Sequence, residues 1–254
     1  MGSCCMKTTF ATACWEGDWK TILLKPNYLA EGMIGRHRFN FARRLLVINN
    51  VADPEEVIRA AKRHIAAGVL TDIVMADPSV LPAFQLKRSD FTSNHPSIPN
   101  DWIYYNALAP LTAIHAVTTD YLLYQTGDVW LKKNAAWIAS SIHAMQKRPT
   151  FKVANLTWND NYREARQEAY RSTLRFYVSN RGFSDQMFLV QSKDFQQPIY
   201  GILREDAAHF PRGDVFEKRV FSYMLTQGWE RITFRWASYV HGMPGDGDVF
   251  EAKS

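Results

Sequence analysis

The sequence predicts a single α/β domain with a mostly parallel central sheet flanked by helices. Three observations predict it. Strand-like and helix-like segments alternate through the first half of the chain. The strand-like runs are apolar and β-branched, as strands covered on both faces are. The chain, at 254 residues, is long enough to bury one core without disulfide or metal staples.

Residues 8–13 (Thr-Thr-Phe-Ala-Thr-Ala) form the first predicted strand and residues 44–49 (Arg-Leu-Leu-Val-Ile-Asn) the second. Asp53-Pro54-Glu55-Glu56 is a helix start: a capping carboxylate, proline at the first helical position and acids in the first turn. That helix runs through Val57, Ala60, Ala61 and Ile65 to a stop near Gly68. Residues 69–75 make a third strand, and residues 77–100, polar and bearing Pro78, Pro82, Pro96 and Pro99, read as connecting structure. A helical stripe over 108–117 then feeds Tyr121-Leu122-Leu123-Tyr124-Gln125-Thr126-Gly127-Asp128-Val129, an apolar strand that stops at a glycine and a carboxylate. An amphipathic helix over 137–145, a strand over 151–156, a helix over 216–225 and a last strand over 231–239, followed by His241, complete the order. Residues 1–241 therefore read as one domain, with halves of about 8–130 and 131–241, and the glycine-rich, acidic segment 242–254 is expected to be a flexible tail.

Cys4, Cys5 and Cys14 crowd near the N-terminus without metal-ligand spacing, which argues against a disulfide framework or a zinc site and for a reducing, cytoplasmic setting. No window approaches the roughly 18 uninterrupted apolar residues of a membrane span, and the first residues lack the apolar core of a signal peptide. Met-Gly-Ser-Cys-Cys has the look of a lipidated start, but Met6 stands where a myristoylation motif has serine or threonine. The net charge of +5 is dispersed, and its one cluster, Arg36, Arg38, Arg43 and Arg44, lies ahead of a strand rather than along a helix face. Nucleic acid is not an expected partner, because no groove-entering or base-stacking motif accompanies that charge.

Three polar clusters fall where strands run out into loops, the edge at which open α/β sheets bind ligands. After the first strand come Trp15, Glu16 and Asp18, an aromatic and two acids able to stack on and hydrogen-bond a base or sugar; the alternative is a core tryptophan and a helix cap at Asp18. After the second come Asn49, Asn50 and Asp53, the asparagines suited to a ribose or a base and Asp53 to a helix cap. The third is Asp128, a ligand-binding carboxylate or a turn residue.

The order of a first strand with a polar loop, a second ending Ile48-Asn49-Asn50-Val51-Ala52-Asp53, and the run from Asp120 to Val129 resembles the nucleotide-sugar-binding half of GT-A-type glycosyltransferases. In that family the last acid of a DxD motif binds the metal on the donor diphosphate, and Asp128 takes its place. Thr126 stands where the first acid belongs, and Asn49 and Asn50 replace the usual acids. Gly182-Phe183-Ser184-Asp185-Gln186, ahead of an apolar run, is similar to a segment of bacterial lipopolysaccharide and capsule glycosyltransferases in which a Ser-Asp pair precedes a strand and a Glu-bearing helix follows. His241 sits like the C-terminal histidine that binds metal or diphosphate in some members.

The resemblance implies a nucleotide-sugar donor across the ends of the first two strands and a divalent cation, Mn²⁺ or Mg²⁺, near Asp128 and His241. It implies a glycan or lipid-linked acceptor contacted by Trp158 and Gln186, and Asp185 as general base of an inverting transfer. The basic surface would hold the chain at the inner face of a membrane. Two other readings stay open. A nucleotidyltransferase would want a glycine-rich basic loop after the first strand, where residues 14–20 hold one glycine and one lysine. A non-catalytic sugar-binding protein would explain the missing first acid.

Overall fold

The computed structural model describes residues 6–207, 213–245 and 247–250. Cys4, Cys5, the N-terminal motif weighed for lipidation, and residues 246 and 251–254 of the expected tail lie outside them.

The strands are β1 (Thr8–Cys14), β2 (Arg43–Ile48), β3 (Asp72–Met75), β4 (Tyr121–Thr126), β5 (Val129–Trp130), β6 (Phe151–Trp158), β7 (Arg171–Ser172), β8 (Phe176–Ser179), β9 (Met187–Gln191) and β10 (Glu230–His241). The helices are α1 (Trp19–Leu24), α2 (Pro54–Ala66), α3 (Asn100–Ala116), α4 (Ile138–Lys147), α5 (Tyr162–Glu168), α6 (Ser192–Phe195) and α7 (Phe216–Gln227). A π-helical segment (Tyr28–Ile34) follows α1.

One sheet runs in the order β3-β2-β1-β4-β9-β6-β10-β8-β7, with β5 on β10. The pairings β3–β2, β2–β1, β1–β4 and β6–β10 are parallel, and β9 joins β4 to β6 antiparallel to both. Most strands thus point one way, as the sequence predicts, and the exceptions are β5, β8 and β9. In β4 the alternation of side chains sends Tyr121 and Leu123 into one core layer with Ile22, Val57 and Ile138, and Leu122 and Tyr124 into the other with Leu108, Phe216 and Val220. Apolar cover on both faces is why the run carries no polar alternation.

Asp53 caps α2 by accepting from Glu56 N at 3.0 Å. Helix α3 corrects the expectation of connecting structure up to residue 100 and a helix only over 108–117: it starts at Asn100, behind Pro99. Its segment from Ala107 to Ile114 is buried throughout, whereas the first turns, close behind Pro96 and Pro99, expose Asp101, Trp102 and Asn106 and so carry no apolar stripe. The third strand begins at Asp72 rather than 69, and His241 belongs to the last strand rather than following it. Within the segment expected as a tail, Phe250 is buried against Tyr28 and Trp130, and Lys25 Nζ donates to Gly245 O at 2.8 Å.

A buried polar cluster locks β4 to the helical layer. Trp137 Nε1 donates to His37 Nδ1 at 3.0 Å, which leaves the proton on Nε2 to donate to Gln125 Oε1 at 2.8 Å; Gln125 Nε2 in turn donates to Val129 O at 2.6 Å. His37 has no exposed surface, and burial pulls its imidazole from 6.5 down to about 4. The unfolded chain therefore takes up a proton that the folded one refuses as pH falls below 6.5, and stability present above that pH is lost towards about pH 4. By about pH 5 the loss from this group should reach ~2 kcal/mol. Thermal melts across that range will show it, and in His37→Gln the dependence will be shallower.

Candidate functional site

The parallel strands β1, β2 and β4 end side by side, Cys14 opposite Ile48 and Ala13 opposite Thr126, so the loops after them open at one edge. Strand β9 enters at that edge because Met187 pairs with Gln125, which sets Asp185 and Gln186 just outside. Strand β10 leaves there, and Val129 of β5 pairs with His241, which brings the acid before Val129 against the imidazole. A cleft of about 760 Å³ lies at this edge, walled by Trp15, Asp18, Asn49, Asn50, Asp128, Asp185, Gln186 and His241 from the loops. Helix α3 supplies Asp101, Trp102, Tyr105, Asn106 and Pro110, and the start of α7 supplies Phe216 and Glu217.

Asp128 is held on both oxygens. Thr126 Oγ1 donates to Oδ1 at 2.8 Å, and His241 Nε2 pairs with Oδ2 at 3.1 Å. Burial pushes the Asp128 carboxyl up, but the bonds from His241 and Thr126 outweigh it and hold it below the ordinary range. Conversely, Asp128 raises the His241 imidazole against the effect of its burial, with Asp185 adding to the rise. The backbone around the acid is pinned as well: Gly242 N donates to Asp128 O at 2.9 Å, and Tyr28 OH to Gly127 O at 2.8 Å.

Gly127 is required by space rather than by dihedral angle. A Cβ there would lie 2.7 Å from Ala13 O and 2.9 Å from Asp18 Oδ2, and would collide with the tip of Ile22. The carbonyl cannot yield as a side chain can, so Gly127→Ala should cost ~1–3 kcal/mol. It should also move the Asp128 turn, and a melt together with nucleotide titration will register both.

Asp18 accepts from Trp15 N at 2.8 Å and is buried; burial, opposed by the Trp15 bonds and helped by nearby Asp128, pushes its carboxyl up to about 7. Trp15 is 52 % exposed at the cleft mouth. Asn49 donates through Nδ2 to Tyr105 O at 2.9 Å, while its buried Oδ1 has no hydrogen-bond partner among the described residues. Asn50 adopts a left-handed backbone, φ 48°. Gln186 takes the Tyr239 hydroxyl on Oε1 at 3.2 Å, and its carbonyl accepts from Thr126 N at 2.9 Å.

Glu16, Asp53 and Trp158 do not line the cleft. Glu16 accepts from Ala52 N at 2.8 Å and ties the first loop to the second, and Asp53 is occupied as the α2 cap. Trp158 ends β6, 42 % exposed. The α3 wall is what sequence reasoning missed: Trp102 and Asn106 lie four apart on one helix face, and Asn106 Nδ2 donates to Trp102 O at 2.7 Å. Their spacing was the available signal, obscured by the prolines before it. Among the described residues no group of three or more His, Cys, Asp or Glu is arranged as a metal cage, and no helix is long and apolar enough to cross a membrane.

No protein-family model matches the sequence, and neither does any curated protein. Solved structures do. The mannosyltransferase PcManGT from Pyrobaculum calidifontis, in complex with GDP-Man and Mn²⁺, aligns over 95 % of this chain and 58 % of its own at 13 % identity, with a TM-score of 0.51. GalNAc-T7 with UDP, GalNAc and Mn²⁺ aligns over 94 % of this chain and 45 % of its own at 12 % identity, with a TM-score of 0.52. The chain thus spans about half the length of these proteins. The parallel β1-β2-β4 core, the antiparallel β9 beside it and these alignments together give this chain the GT-A-type fold of glycosyltransferases.

Proposed function

We propose that this protein is a glycosyltransferase that moves a sugar from a nucleoside diphosphate donor to a glycan or lipid-linked acceptor. The observation that carries the reading is Asp128, held by Thr126 and His241 at the same cleft edge as Asp185. On this reading Trp15 stacks on the base, Asn49 offers its unpartnered Oδ1 to a base or ribose donor group, and Asn50 and Asp18 complete the pocket.

The donor set suits a divalent cation. Asp128 and His241 provide an oxygen and a nitrogen 3.1 Å apart, and such ions usually complete few protein ligands with substrate phosphates. Asp101, Asp185 and Glu217 also line the cleft, and these carboxylates would repel a diphosphate without a cation between. The ion, when bound, would offset the charge that grows on the leaving diphosphate. Thr126 takes over the orienting part of the absent first acid, since its hydroxyl fixes one Asp128 oxygen.

For the transfer, Asp185 accepts the proton of the acceptor hydroxyl as that oxygen attacks the anomeric carbon and the bond to the diphosphate breaks, which inverts the anomeric centre. Gln186 borders the acceptor side, and Trp158 stands farther out on the same sheet edge. A nucleotidyltransferase is less well served: residues 14–20 form a turn closed by the bond from Trp15 N to Asp18 and then the start of α1, rather than a triphosphate cradle. The test is release of nucleoside diphosphate from a panel of nucleotide sugars with glycan acceptors; the reading expects one donor to be consumed, with an acceptor-dependent product. A protein that binds such a donor and never turns it over would be the sugar-binding alternative.

A further inference from the structure

Two observations outside the cleft coincide where β8 and β7 close the sheet opposite β3. The turn joining them is tight, with Thr173 N donating to Phe176 O at 2.8 Å, and it presents Leu174 at 79 % exposure. Arg235 N donates to Arg175 O at 3.0 Å and Arg235 Nη1 to Thr173 O at 2.6 Å, which ties β10 to the turn just past the pairing of Phe234 with Phe176. Trp236, 63 % exposed, follows Arg235 and so stands beside the turn that carries Leu174. Beside this hairpin lies a groove of about 540 Å³ bounded by the last turns of α4; Lys147, Arg148 and Arg175 line it together with Thr173. Thr173 and Arg175 flank Leu174 in sequence, so the leucine stands at the rim of a cationic groove. Glu230, 3.9 Å from Arg148, is mostly buried.

We propose that this face rests on an anionic phospholipid surface, with Leu174 and Trp236 in the interfacial layer and Lys147, Arg148 and Arg175 on headgroup phosphates. An exposed aliphatic tip beside a tryptophan and ringed by basic side chains is the composition of an interfacial contact. A sugar would use the tryptophan but gain nothing from the leucine. Trp236 precedes His241 on β10 by five residues, at most about 16 Å, so the contact would set the cleft close to a membrane-borne acceptor. Vesicle binding requires neither donor nor turnover, and the inference stands or falls apart from the proposed reaction.

The experiment is co-sedimentation of the full chain with phosphatidylcholine vesicles and with vesicles that also carry phosphatidylserine. Binding to the second and not the first is expected, weakening as salt is raised. Leu174→Ser with Trp236→Ser should lower partitioning about tenfold or more. Lys147→Glu with Arg175→Glu should lower it further, since each basic side chain at such a surface contributes about fivefold. All four side chains are exposed, and unchanged melts will certify folding. Equal binding by the parent and both variants, or no binding by the parent, overturns the proposal. So does displacement by inorganic phosphate at constant ionic strength, which would mark a small-anion site. Loss of transfer to a soluble acceptor in Trp236→Ser without vesicles would mark a glycan-stacking surface instead.

Discussion

Asp128→Asn is expected to abolish the Mn²⁺-dependent part of nucleoside diphosphate binding and to lower turnover by about 10²–10³-fold, the scale of losing one principal electrostatic contact to a developing charge. Asparagine keeps the shape of the side chain and an oxygen for the Thr126 hydroxyl, and Gly242 and Tyr28 still fix the backbone around it. The fold should therefore survive, as a melt will show. The substitution carries a second signature in His241. Its imidazole is raised chiefly by Asp128, so in the variant its titration should move down towards the ordinary value, observable in imidazole resonances without any substrate. Thr126→Val removes only a hydroxyl bond, and its effect should be smaller, about tenfold. If Thr126→Val matched Asp128→Asn, the hydroxyl would itself be a ligand rather than a positioning group.

Asp185→Asn is the second large effect. Turnover should fall by about 10²–10⁴-fold, the usual span for a general base, while donor affinity stays near that of the parent. The parent's product should carry the inverted anomer. This split separates the two acids: Asp128 acts on donor binding and turnover together, Asp185 on turnover alone. Retention of configuration, or undiminished turnover in Asp185→Asn, would leave Asp185 as a loop residue at the mouth of β9.

Much of the layout was legible because local chemistry and burial agreed. The doubly covered strands β1, β2 and β4 announce themselves as apolar runs, and the Asp53-Pro54 start of α2 is a capping signal that needs no tertiary information. Asp128, Asp185 and His241 could be picked out because each sits at a strand end. Their juxtaposition was not readable from any one segment: it depends on β9 inserting between β4 and β6, and on β5 folding back onto β10, pairings between residues far apart in sequence. The first turns of α3 read as connecting structure because they follow Pro96 and Pro99 and expose Asp101, Trp102 and Asn106, which hid that pair. Hairpin β7–β8 escaped notice because strands of two and four residues leave no period to detect. Glu16 and Asp53 carry functional-looking carboxylates that backbone donors already use, Ala52 N from the neighbouring loop and Glu56 N from the helix Asp53 caps.

The central claim is that the cleft binds a nucleoside diphosphate through Asp128 with a divalent cation. Thermal melts of the purified protein against a panel of nucleoside diphosphates and nucleotide sugars, each with and without Mn²⁺, test it most directly, because a ligand that binds only the folded state raises the melting temperature by mass action. A rise selective for one nucleotide, dependent on Mn²⁺ and lost in Asp128→Asn, is the predicted result. No rise with any of them, or a rise that Asp128→Asn leaves untouched, would contradict it.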